Sequence, residues 1–121
     1  MPNPFIHAEL NTTQLPKAKA FYQKLFAWKL QQLPAHVFSD YTLIGVGRGT
    51  GGGMTKQRRR GAPSAWMPYV HVTDIDTATR RAKKLGAKVT QDVTEVAGLG
   101  WFSVIVDPSG AALGLWQTKT A

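Results

Sequence analysis

His7 and Glu9 are the residues from which chemistry could most directly be built. They stand two positions apart in Phe5-Ile6-His7-Ala8-Glu9-Leu10. Strand alternation puts Ile6, Ala8 and Leu10 on one face and Phe5, His7 and Glu9 on the other. An imidazole and a carboxylate on one face can act on a ligand as general base or acid. A carboxylate desolvated among aromatic rings holds its proton more tightly, which suits that role. The same pair could give two donors to a metal ion, which needs three or four. A second strand pattern, Met67-Pro68-Tyr69-Val70-His71-Val72, adds His71 and Tyr69. Ser103 and His7 have no third partner that would complete a Ser-His-Asp arrangement. The chain has no cysteine, which excludes a thiol nucleophile, a disulfide and a thiolate metal site.

The elements that must position these groups come in two similar sets. After the first strand, Pro16 suits the first turn of a helix, and Ala18, Phe21, Tyr22 and Leu25 recur at helical spacing. Sixty residues on, Met67 lies over His7, Asp74-Ile75 over Gln14-Leu15, and Leu85-Gly86 over Leu25-Phe26. Ala112 to Gln117 falls over Gly52 to Gln57. Such self-similarity decides the fold. Thr73 to Thr77 offers N-cap residues for the second helix, with Ile75, Ala78, Ala82 and Leu85 as its apolar stripe. Strands are expected at Leu30–Leu33, Val37–Phe38 with Tyr41–Val46 as a hairpin, Lys88–Val93, Trp101–Val106 and Ala111–Trp116. The glycine run from Gly45 to Gly53 lacks the lysine and the following helix of a phosphate loop, and reads as a flexible turn into a strand at Gly53. His36, beside Pro34 in a turn, is expected to be exposed.

The 121 residues suit one domain, with module one at about 4–57, a linker at about 57–65 and module two at about 66–118. No apolar run reaches membrane-spanning length. The N-terminus has no basic-then-apolar pattern, so a cytoplasmic protein without a signal peptide is expected. The net charge is +8. Much of it lies on the outer faces of the helices and in Arg58-Arg59-Arg60 between the modules. A nucleic-acid role is the reading this charge would support. No helix-turn-helix or aromatic–basic RNA motif accompanies it.

Taken in order, these pieces resemble the vicinal oxygen chelate superfamily of glyoxalase I, bleomycin resistance proteins and extradiol dioxygenases. The resemblance rests on Leu15, Phe21-Tyr22, Leu25-Phe26 and Trp28 in the first half. Val72-Thr73-Asp74-Ile75-Asp76, Leu85-Gly86-Ala87 and Asp107-Pro108-Ser109-Gly110-Ala111 carry it in the second. Glu9 to Thr12 with Trp66, Pro68, Tyr69 and Val70 looks closest to a glyoxalase-related branch. The resemblance implies an α+β fold of two β-α-β-β-β modules, curled around a cleft with helices outside, in a homodimer. In metal-using members it also implies four ligands, two per module. Those positions fall here on His7, Met67, Gly114, and Met54 or a neighbouring glycine. Glycine offers no side chain, and a thioether suits copper(I) rather than a divalent ion. No metal and no cofactor are therefore expected.

What is left is a cleft, and alternation assigns its lining. Phe5, His7 and Glu9 come from the first strand, Met54 from the end of module one, and Met67, Tyr69 and His71 from the strand that opens module two. Gly114 and Trp116 face inward if Leu113 and Leu115 lie under the helices. Placing Phe102, Val104 and Val106 under the helices leaves Trp101, Ser103 and Ile105 for the cleft. Mostly aromatic, with a few polar groups, such a lining fits a small organic ligand. The function expected is a metal-independent small-molecule-binding protein, with His7 and Glu9 as candidate catalytic groups if it is an enzyme. A metal-dependent lyase or dioxygenase and a basic nucleic-acid-binding protein are the alternatives.

Overall fold

Sixty-residue spacing governs the architecture. Phe5 and Ala65, Leu15 and Ile75, and Gly52 and Ala112 open paired elements of the two halves. The structure, a computed structural model, describes residues 2–120. It is an α+β chain of eight strands and two helices. The first module runs β1 (Phe5–Thr12), α1 (Leu15–Leu25), β2 (Lys29–Gln32), β3 (Tyr41–Gly45) and β4 (Gly52–Lys56). The second runs β5 (Ala65–His71), α2 (Ile75–Lys84), β6 (Lys88–Val96), β7 (Gly100–Val106) and β8 (Ala112–Thr118). By packing, the chain divides into a unit of His7–Met67 and a unit joining the N-terminal residues through Ile6 to the chain from Pro68 onward. Among the described residues, no helix is long and apolar enough to cross a membrane.

In the unit of His7–Met67 the strands lie in the order β2-β3-β4-β1. β1 and β4 pair in parallel, with Leu10 opposite Met54 and Glu9 opposite Gly53. β3 pairs antiparallel with both β2 and β4. The core lies on the face covered by α1, where Leu10, Ile44 and Met54 are buried against Leu15, Ala18, Tyr22, Trp28 and Leu30. Each buried side chain of this size contributes about 1.5–3 kcal/mol. Pro16 sits in the first turn of α1 as its fixed φ allows. The helix buries no residue fully, and Phe21 and Leu25 point outward rather than into the core. Tyr22 instead packs among Phe26, Trp28 and Trp66, and its hydroxyl accepts a 3.3 Å hydrogen bond from Trp66 Nε1. Val37 and Phe38 form a turn on the Pro34 carbonyl, not a strand, so the hairpin is β2–β3.

In the other unit the order is β5-β8-β7-β6, again with a parallel central pair. α2 is capped by Asp74, whose Oδ1 accepts from Thr77 N at 3.1 Å and whose Oδ2 accepts from Thr77 Oγ1 at 2.9 Å. These bonds hold the Asp74 carboxyl below the ordinary carboxylate range. Val72, Ile75, Ile105 and Leu115 are buried together, with Ala78, Ala82, Trp101 and Leu113 packed on them. Leu85, the last residue of the expected stripe, is the helix C-cap and is exposed.

Candidate functional site

Alternation along β1 brings His7, Glu9 and Asn11 to the face opposite the α1 core. The register carries that face across the sheet. Glu9 pairs with Gly53, Asn11 with Thr55, and Thr55 with Tyr41. Tyr41 therefore projects on the same side and lies across Gly53, where a Cβ would collide with its ring and hydroxyl. The result is a continuous chain of hydrogen bonds. Tyr41 Oη donates to Glu9 Oε1 at 2.9 Å. Tyr41 Oη and His7 Nε2 are 2.7 Å apart. Asn11 Nδ2 donates to Glu9 Oε2 at 3.2 Å. The His7 and Tyr41 rings stack at 23° with centroids 6.2 Å apart. Phe38 meets Tyr41 edge-on at 5.9 Å, and Arg58 lies 5.2 Å over the Phe38 ring.

Burial gives this network its energetic weight. Glu9 is 7% exposed and Tyr41 8%. A buried carboxylate is costly unless donors reach it, and a hydrogen bond to a charged group contributes about 1.5–3 kcal/mol. Tyr41 and Asn11 each reach one oxygen of Glu9. Burial also pushes the His7 imidazole below its ordinary pKa, because a charged ring loses more hydration than a neutral one. The arrangement sets an imidazole that can take up or deliver a proton beside the buried carboxyl group of Glu9.

Tyr41 is the member that sequence reasoning missed. The pattern places it in a hairpin and gives it no role. The available signal was Gly53, the last residue of the glycine run, where the turn is expected to lead into a strand. In the structure Gly53 lies inside β4, and its lack of a side chain is what lets the tyrosine ring lie flat on the sheet.

Met54, expected in the cleft, is instead fully buried in the α1 core. It pairs with Leu10 and so lies on the face opposite Glu9. The glycine beside it, Gly53, occupies the Glu9 face. Met67 is buried at the end of this unit.

In the other unit, Gly114 pairs with Tyr69 and Trp116 with His71, so these four share the face away from α2. Tyr69 lies across Gly114 as Tyr41 lies across Gly53. The His71 main chain is tied to Pro4 and Asn3, and Phe5 is exposed. The phase expected for β7 is corrected. Antiparallel pairing sets Ser103 against Leu115 and Phe102 against Trp116. Trp101, Ser103 and Ile105 therefore lie under α2, and Phe102 and Val104 face the other way. Ser103 is fully buried, 2.9 Å from Thr79 Oγ1 on the helix. β7 is apolar on both faces, so its alternation carried no phase information.

The positions that the resemblance implies as metal ligands are His7, Met67, Gly114, and Met54 or the neighbouring Gly53. His7 Nε2 is engaged by Tyr41, Met54 is in the core, and Gly53 and Gly114 have tyrosine rings across them. Among the described residues, no group of three His, Cys, Asp or Glu could hold a metal ion.

A family model described as a glyoxalase-like domain matches residues 7–115. The Mycobacterium tuberculosis protein named "Putative glyoxylase CFP32" is 34% identical over 115 residues, covering 92% of this chain and 44% of that protein. The chain thus spans less than half the length of the curated relatives it matches most fully. A methylmalonyl-CoA epimerase from Mycobacterium tuberculosis superposes with a TM-score of 0.68 at 15% identity, over 96% of this chain and 88% of that one. A hypothetical protein, BH1468 from Bacillus halodurans, gives a TM-score of 0.68 at 14% identity, over 100% and 98% of the two chains. At these identities the solved structures share the fold alone.

Proposed function

This chain belongs to the glyoxalase-like family of the vicinal oxygen chelate superfamily, and from that premise we propose that it binds a small organic molecule without a metal ion. The binding face is the one that carries His7, Tyr41 and Glu9. One observation carries this reading. The residue at the first ligand position of metal-using relatives is hydrogen-bonded to a tyrosine, at 2.7 Å. Aromatic surface from Phe38 and Tyr41 beside a small cluster of polar groups suits an organic ligand.

The test is elemental analysis of protein purified without chelator, with titrations of nickel, zinc, manganese and iron(II). Less than stoichiometric metal under all four conditions is expected. Thermal-shift and tryptophan-fluorescence screening of organic compounds should then find ligands whose binding is lost in Glu9→Gln. One ion bound per chain and removed by His7→Ala would overturn the metal-free reading.

A further inference from the structure

The exposed apolar surface of the unit of His7–Met67 gathers at the end of α1. Phe21 is 57% exposed, Leu25 55%, Phe26 45% and Trp66 42%. These side chains do not stand singly. Phe21 and Trp66 meet the Tyr22 ring edge-on at 5.0 and 5.6 Å, and Phe26 stacks on it at 6.4 Å. Trp28 joins them, 4.8 Å from Phe26 and 6.3 Å from Trp66. A connected apolar patch of this kind, rimmed by polar groups, marks an interaction surface. The rim is basic. Lys17, Phe21, Lys24 and Leu25 share one face of α1 by their spacing, and exposed Lys29 follows Trp28. None of these three lysines makes an ion pair among the described residues. No Asp or Glu occurs between Glu9 and Asp40, and Glu9 is buried. Residues 7–67 carry nine Lys and Arg against two Asp and Glu, so +7 of the chain's +8 lies in this unit.

We infer that this surface docks on the anionic face of a lipid bilayer. Phe21, Leu25 and Phe26 enter the headgroup boundary, and Lys17, Lys24 and Lys29 meet the lipid phosphates. Aromatic rings favour that boundary, and a few apolar groups joined to basic ones suffice to hold a protein there. An α1 of 11 residues can lie on a bilayer but not cross it. Other occupants fit less well. A second copy meeting the same face would set these lysines against their own kind. A stable protein interface takes about 20–30 residues a side, far more than four exposed apolar side chains. Single-stranded nucleic acid needs a row of ring faces for its bases. Here the rings close on one another instead, with Tyr22 stacked on both Phe26 and Trp28. His7 and Glu9 lie on the sheet face opposite the α1 core, so docking through α1 turns the ligand face away from the bilayer.

Co-sedimentation with vesicles tests the surface. With equal parts of phosphatidylcholine and phosphatidylglycerol the protein is expected to sediment, and its tryptophan emission to shift to shorter wavelength. Pure phosphatidylcholine should bind it at least about tenfold more weakly. Lys17→Gln and Lys24→Gln should each weaken binding to the anionic vesicles about fivefold. Phe21→Ser with Leu25→Ser should weaken it about tenfold or more while circular dichroism stays parent-like. The lysine variants decide the matter if that pair does not fold. Equal sedimentation with the two kinds of vesicle, or none with either, overturns the proposal. A dimer in sedimentation velocity that Phe21→Ser with Leu25→Ser abolishes gives the face to a second copy and overturns it too. Binding of single-stranded oligothymidylate that the same pair abolishes, without vesicle binding, gives it to nucleic acid.

Discussion

Gly53→Ala should destabilise the protein through a residue that makes no side-chain contact of its own. The Gly53 backbone lies in an ordinary strand, so alanine there would by itself reduce unfolded-chain freedom and stabilise by about 0.4–1 kcal/mol. The structure reverses that sign. The new Cβ occupies space held by the ring and hydroxyl of Tyr41. Overpacking of this kind costs about 1–3 kcal/mol. Moving the ring also breaks the 2.9 Å bond to buried Glu9, a further loss of about 1.5–3 kcal/mol. The net cost is about 2–5 kcal/mol, against a total stability of about 5–15 kcal/mol for a domain. For a chain of this size the midpoint of thermal unfolding should fall by about 8–20 °C. Urea unfolding followed by tryptophan fluorescence gives the free energy, and circular dichroism gives the midpoint. The cycle with Tyr41→Ala isolates the cause. In that background Gly53→Ala should be neutral or slightly stabilising, leaving a coupling energy of about 2 kcal/mol or more. A parent-like Gly53→Ala, within about 0.5 kcal/mol, would refute the reasoning, as would an equal cost in both backgrounds.

Two further outcomes follow from the same geometry. Burial holds the folded-state pKa of His7 below the ordinary value of 6.5, so between those two values the unfolded chain binds a proton that the folded chain does not. The His7 contribution to stability is therefore whole above pH 6.5 and is lost as pH falls from there to the folded-state pKa, so urea unfolding compared at about pH 7.5 and about pH 5.5 should show a smaller drop for His7→Asn than for the parent. Ser103→Ala should cost about 1 kcal/mol by removing the buried bond to Thr79, yet leave ligand affinity unchanged, because Ser103 lies under α2; a loss of binding with stability intact would return it to the site.

The internal repeat was readable because folding the same unit twice leaves matched patterns sixty residues apart, in Leu15 and Ile75 as in Gly52 and Ala112. The α2 cap was readable because the Asp74 carboxylate bonds Thr77, three residues on in the same chain segment. β8 was readable as well, since Leu113 and Leu115 alternate with Gly114 and Trp116. β7 was not, because Trp101 to Val106 offers apolar groups to both faces and only pairing with β8 fixes which side meets α2. Met54 misled for a related reason. A ligand position carried over by spacing cannot tell a residue from its neighbour, and one step along a strand reverses the face.

Local order and chemistry belong to the sequence itself: the two β-α-β-β-β modules, the absence of thiol chemistry, and His7 and Glu9 as two polar groups on one face of one strand. Only the tertiary structure supplied Tyr41, which is more than thirty positions from either partner and reaches them through the pairing of β1 with β4 and of β4 with β3. That contact depends on strand register and on the missing side chain of Gly53. Neither is written in the local pattern, because a glycine in a run of glycines looks the same whether it turns the chain or makes room for a ring.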